Sequence, residues 1–138
     1  MEISLEQAQE VILEALTKAR EIGVPVNIVV LDTAGFLKAF ARMDAAVLGS
    51  IDIAMQKAKT SMLFGLNSED VGGYLKPEVA AYGLVNTNGG LLGFAGGRPV
   101  RFKGQIIGYI GVSGGAIPQD AAIAVAASKF LSGSESNL

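Results

Sequence analysis

The chain of 138 residues contains no cysteine, no histidine and no tryptophan. Without cysteine, disulfides and thiol nucleophiles are excluded. Without histidine, a Ser-His-Asp triad, a Cys-His pair and imidazole-ligated zinc, iron or haem are excluded within the chain. No metal site is expected, and any catalysis falls to Asp, Glu, Lys, Tyr, Arg, hydroxyls or backbone amides. Charge is scarce as well: 17% of residues are charged and the formal net charge is −2. That balance argues against nucleic acid as a partner. No apolar run reaches the roughly 18 to 20 residues of a membrane span. The start, MEISLEQAQE, is acidic where a signal peptide is basic, so a cytoplasmic location is expected.

What is present is apolar. Half of the residues are hydrophobic, which excludes disorder and suits one domain over residues 1–138, with a frayed tail from 133. So little charge on so small a domain predicts that other subunits cover part of the surface, making a homo-oligomer.

The spacing predicts a helix from residue 5, opened by an S-x-x-Q capping box at Ser4 and Gln7. Leu5, Ala8, Ile12, Ala15, Leu16, Ala19 and Ile22 form its inward face, Glu14 and Lys18 can pair, and Gly23 closes it. VNIVVLD reads as a buried strand, and FLKAFARMD alternates as its hairpin partner. A second helix fits Ser50 to Phe64, with Ser50 as its cap, Gly65 as its stop, and Ile51, Ala54, Met55, Ala58 and Met62 inward. In the irregular middle, Ser68 could cap a short helical turn, and Pro77 could open another that ends at Gly83.

Eleven of the 18 glycines lie from Gly83 to Gly115, so tight backbone geometry dominates this third of the chain. RPVRFKGQIIGYIGVS reads as a hairpin turning at Lys103-Gly104, and a last helix starts near Pro118 and runs to about Leu131. Its AAIAVAA stretch is apolar on every side, which predicts burial by the sheet and a neighbouring subunit. The order predicts an α+β fold, an antiparallel sheet with helices packed on it.

No phosphate-loop spacing occurs. Ser113, Gly114 and Gly115 lead towards a helix start whose free amides favour an anion; alternatively the glycines only turn the chain, while Asp120 caps its own helix. Arg98, Arg101 and Lys103 could hold a carboxylate or form a solvated hairpin face. Arg42 and Asp44 end a strand and either face a cleft or pair with each other. Lys57 lies one residue before an inward alanine. A buried lysine there serves as a base or Schiff-base amine, or satisfies a backbone carbonyl or a carboxylate.

In order, VVLDTAGFLKAFARMDAA, AMQKAKTSMLFG, GGRPV and GQIIGYIGVSGGAIPQDAAIAVAA resemble the GlcG/HbpS-like family, which includes the C-terminal domain of PduO-type cobalamin adenosyltransferases. The resemblance implies a profilin-like fold, a central antiparallel sheet with helices on both faces, in dimers or larger assemblies. It implies haem or a corrinoid as candidate ligands, since some relatives bind haem or are described as haem-degrading. Others are encoded with glycolate, glycerol or propanediol pathways. The matching motif positions are Arg42, Asp44, Lys57, Thr60, Arg98, Pro99, Gly114, Gly115 and Asp120. Arg98 fills the x of G-G-x-P, where an apolar residue is common, so a binding role for it rests on its charge. The histidine that ligates haem in some relatives has no counterpart here.

Three readings follow. The first is a small-ligand-binding or accessory protein of a metabolic pathway, with the ligand-binding residues at the motif positions. The second is a cofactor-independent enzyme on a small carboxylate or carbonyl metabolite, with Lys57 or Asp120 as general base and Arg42 or Arg98 orienting a carboxylate. The third is an oligomeric scaffold.

Overall fold

The computed structural model describes residues 1–135. Two antiparallel hairpins supply the four strands: β1 (Asn27–Leu31) with β2 (Leu37–Arg42), and β3 (Gly97–Phe102) with β4 (Gln105–Ser113). They join through an antiparallel β1–β4 pairing in the order β2-β1-β4-β3. The second hairpin turns where the spacing predicts. Lys103 and Gly104 both take positive φ, 51° and 74°, as the tight two-residue turn of a twisted hairpin requires.

Helices cover both faces, as the resemblance implies. Helix α1 (Leu5–Ile22) and helix α4 (Ile117–Glu135) pack on one face, and α2 (Ser50–Phe64) packs on the other. The α1/α4 side holds the larger core, with Ile28, Val30, Val100, Ile110 and Val112 of the sheet against Val11, Ala15, Ile123 and Ala127. The α2 side is thinner: Val29, Leu31 and Tyr109 meet Ala54 and Ala58. The Ser4–Gln7 capping box forms with both bonds at 3.0 Å.

Several local expectations need correction. Leu5 precedes the buried stripe of α1 and stays exposed, and Lys18 pairs with Glu21 rather than with Glu14. Ser50 is the first residue of α2 and does not cap it; its hydroxyl donates to the Val47 carbonyl and accepts from the Asn27 amide at 2.7 Å. Ser68 likewise is no cap. It begins the short helix α3 (Ser68–Gly72), and its buried hydroxyl donates to the Phe94 carbonyl at 2.7 Å and accepts the Gly97 N–H at 2.9 Å. Pro77 opens no helix, and a 3₁₀ segment runs instead over Ala80–Asn86, through Gly83. Helix α4 continues to Glu135, past the expected fray point, while residues 136–138 lie outside the described residues. No helix among the described residues is long and apolar enough to cross a membrane.

Candidate functional site

The site begins with two glycines. Gly97 of β3 and Gly111 of β4 stand opposite each other in the sheet. A Cβ on Gly111 would strike the Ala54 carbonyl oxygen, and one on Gly97 would strike that of Lys57. With neither Cβ present, the backbone of α2 lies directly on the sheet. This close seat carries Lys57 into the interior, where its side chain is 0% exposed.

The buried ammonium is well supplied with partners. Lys57 Nζ donates to the Val112 carbonyl at 2.9 Å and to Asp120 Oδ2 at 3.1 Å, and it lies 5.0 Å from the centroid of the Phe94 ring. Asp120 Oδ1 accepts the Gly115 N–H at 2.9 Å. Burial pushes the Lys57 amine below its usual range, against the pull of the Asp120 carboxylate. Burial also raises the Asp120 carboxyl, opposed by Lys57 and by the amides of Gly115 and Gly114. Both shifts show the cost of holding charge away from water.

Beside this pair lies a cleft of about 260 Å³ between the start of α2 and the β4–α4 corner. Val47, Ile53, Phe94 and Ile117 give it apolar walls, and Val47 and Ile117 stay at least half exposed at its mouth. Ser50, Ser113 and Asp120 supply polar atoms, with the backbone of Gly114 and Gly115 beneath them. Asn27, buried behind Ser50, leaves its Oδ1 without a hydrogen-bond partner.

The motif positions therefore separate. Lys57, Asp120, Gly114 and Gly115 meet at the cleft. The helix start offers no free cradle, because Asp120 occupies the Gly115 amide and Gln119 Oε1 accepts that of Ala116. Thr60 is buried and donates to the Leu92 carbonyl at 2.8 Å, which ties the glycine-rich loop to α2. Arg42 and Asp44 are exposed and make no ion pair with each other; they border a separate groove of about 350 Å³ with Leu16 and Arg20 of α1. Arg98 and Pro99 lie at the outer edge of the sheet, in a different pocket.

Reading the sequence alone did not place Asn27, Ser50 or Phe94 at the site, whereas Ser113 stood in the glycine run that leads to it. Asn27 did carry a signal, as the polar residue inside the β-branched run VNIVVL. Phe94 carried none, because its position depends on the Ser68 and Thr60 ties to its loop.

Comparison with known proteins places these features in a family. The model of the haem-degrading protein HbpS-like family matches residues 3–129. An uncharacterised 15.0 kDa protein of the dhaT-dhaS intergenic region of Citrobacter freundii is 37% identical over 123 residues, covering 88% of this chain and 87% of that protein. Among solved structures, the Klebsiella pneumoniae protein ORFY superposes with a TM-score of 0.89 at 36% identity, over 94% of this chain and 90% of that one. A PduOC:haem complex superposes with a TM-score of 0.86 at 29% identity, over 93% and 94% of the two chains.

Proposed function

The chain belongs to the HbpS-like family, and on that footing we propose that it is a small-ligand-binding, accessory protein of a metabolic pathway, working in the cytoplasm. The observation that carries this reading is the cleft itself. Its mouth exposes apolar side chains at Val47, Ile117 and Phe94, while Asp120, paired with the buried Lys57, lines it together with Ser50 and Ser113. Such a site grips a ligand with an apolar body and orients it through a few polar atoms.

The PduOC:haem complex makes a tetrapyrrole the first ligand to consider. The apolar walls suit the face of a flat ring. The residues do not suit an iron-ligating site, however. The chain has neither histidine nor cysteine, and the Lys57 amine is enclosed and already bonded to a carboxylate and a carbonyl. The cleft also falls just below the roughly 300–1,000 Å³ of common small-ligand pockets, so a macrocycle would insert only an edge. A second copy of the chain would cover the rest. The open side of β2, where Leu37 and Phe40 are exposed beside Phe36 of the preceding turn, supports such a homo-oligomer.

An enzymatic reading has one observation in its favour: Asp120 borders the cleft with a raised proton affinity. Both its oxygens are nevertheless engaged, which favours binding over proton transfer.

Absorbance titration with haem and with metal-free protoporphyrin tests the proposal. Saturable binding is expected, with similar affinity for the two and a loss of at least about tenfold in Ile117→Asp, which puts a charge on the apolar wall. Absence of saturation, or indifference to Ile117→Asp, would refute the reading. A large preference for haem would show that iron is ligated after all.

A further inference from the structure

One long loop leaves the body of the protein and returns at a single point. A Cβ on Gly72 would strike the Gly93 carbonyl oxygen, so the two ends of the stretch 73–92 touch. Its anchorage is polar: Thr60 bonds the Leu92 carbonyl, and the Lys59 ammonium donates to that of Asn88 at 3.0 Å. Between its ends the loop is shaped by its own turns, the N–H of Val79 donating to Lys76, of Tyr82 to Val79 and of Thr87 to Leu84. No residue from Gly72 to Gly90 is buried, the 3₁₀ segment Ala80–Asn86 included.

The sequence of this loop is nevertheless apolar. Residues 73–90 read GYLKPEVAAYGLVNTNGG, with charge only at Lys76 and Glu78. Tyr74 and Tyr82 remain 53% and 42% exposed. Ordering so long a loop costs conformational entropy, and a loop that buries nothing has only its local turns to offset it. A surface that covered the two tyrosines would supply the missing stabilisation.

The same chain carries a surface of that kind. Val29 and Leu31 of β1 face the α2 side, so Phe40 and Leu37, which stand opposite them in β2, face it too. Both nevertheless stay exposed, Phe40 to 41% and Leu37 to 54%. Arg42, opposite Asn27, ends this face, and it makes no ion pair with any of the described residues. Glu78 of the loop is unpaired in the same sense. Loop and face are thus both apolar, both uncovered within one chain, and supplied with opposite unpaired charges.

We propose that the 73–92 loop is an arm that lies across the open face of β2 in a second copy of this chain. Tyr74 and Tyr82 cover the partner's Leu37 and the partner's Phe40, and Glu78 approaches the partner's Arg42. Two-fold symmetry makes the exchange reciprocal, so each pair of copies buries the contact twice. The arm rests on the self-association proposed above and names the segment that carries it.

The absence of cysteine makes site-directed cross-linking a clean test. Two copies of different length, one with Tyr82→Cys and the other with Phe40→Cys, are co-expressed and treated with a short bismaleimide. Linkage between the unlike copies should exceed linkage of either to its own kind by at least about fivefold, as a reciprocal arm-to-face contact requires. In sedimentation velocity, Tyr82→Asp should weaken self-association about tenfold or more, with far-UV circular dichroism unchanged. A wild-type chain that sediments as a monomer removes the self-association and the arm together. A wild-type oligomer undisturbed by folded Tyr82→Asp, or one in which Phe40→Cys links chiefly to its own kind, overturns the arm alone and leaves the assembly standing. Ligand binding at the cleft is read separately, by its own titration.

Discussion

Removing either partner of the Lys57–Asp120 pair should destabilise the protein with opposite dependence on pH. The two groups are 3.1 Å apart with side chains 0% and 3% exposed, so a stranded charge has no water to turn to. In Lys57→Met, the Asp120 carboxyl loses its cation and its proton affinity rises further above the usual 3.8. The native state then binds more protons than the unfolded chain between 3.8 and the folded value. Stability is therefore retained at low pH and lost as pH rises, by up to about 1.4 kcal/mol per pH unit. Taking up a proton caps the loss. From 3.8 to pH 7 the cap is about 4 kcal/mol, close to the typical cost of breaking a buried pair. In Asp120→Asn, the amide oxygen can still accept the Gly115 N–H, and Lys57 is the stranded group. Its amine falls further below the usual 10.5, the unfolded chain binds more protons, and stability rises with pH. Its cap at pH 7 is about 5 kcal/mol. Urea unfolding followed by circular dichroism at pH 5, 7 and 9 reads both slopes, and the double variant should be nearly flat in this respect and less costly than the two losses added. Single variants that each cost under about 1 kcal/mol, with no pH slope, would refute the account of a desolvated pair.

Two further outcomes test the surroundings of the site. Gly111→Ala should destabilise by about 1–3 kcal/mol or more, because its Cβ would push against the Ala54 carbonyl and lift α2 from the sheet; an unchanged urea midpoint would disprove that seat. Phe40→Asp, on the open side of β2, should dissociate the homo-oligomer in sedimentation velocity while leaving circular dichroism intact, and a wild-type chain that sediments as a monomer would remove the proposed assembly.

Most of the architecture was legible because its signals are local. The capping box, the β-branched run and the Lys103-Gly104 turn each act within a few residues, and the α+β order followed from them. Burial was legible where periodicity governs it, as in Ala8, Ile12, Ala15 and Ala19 of α1. It failed on α2, where Lys57, Thr60 and Ser61 are as buried as the alanines. The glycine-rich loop is tied to this second side of α2 by Thr60, which bonds the Leu92 carbonyl, whereas Lys57 bonds the Val112 carbonyl and Asp120 and the buried Ser61 hydroxyl has no hydrogen-bond partner.

The burial of Lys57 was illegible for a more specific reason. It depends on Gly97 and Gly111 standing opposite each other, and the turn alone does not put them there. Next to the turn, Phe102 pairs with Gln105 and Arg101 with Ile106; continued without interruption, this register would place Gly97 opposite Ile110. The bulge between Val100 and Arg101 skips Ile107, so Val100 pairs with Gly108 and Gly97 meets Gly111. One extra residue in β4 thus converts two separate glycines into the single flat seat on which α2 rests. The Lys57 amine then reaches the strand end, where the Val112 carbonyl and the Asp120 carboxylate receive it. A bulge leaves little trace in composition or alternation, so the lysine could be named from its motif while its burial could not be derived.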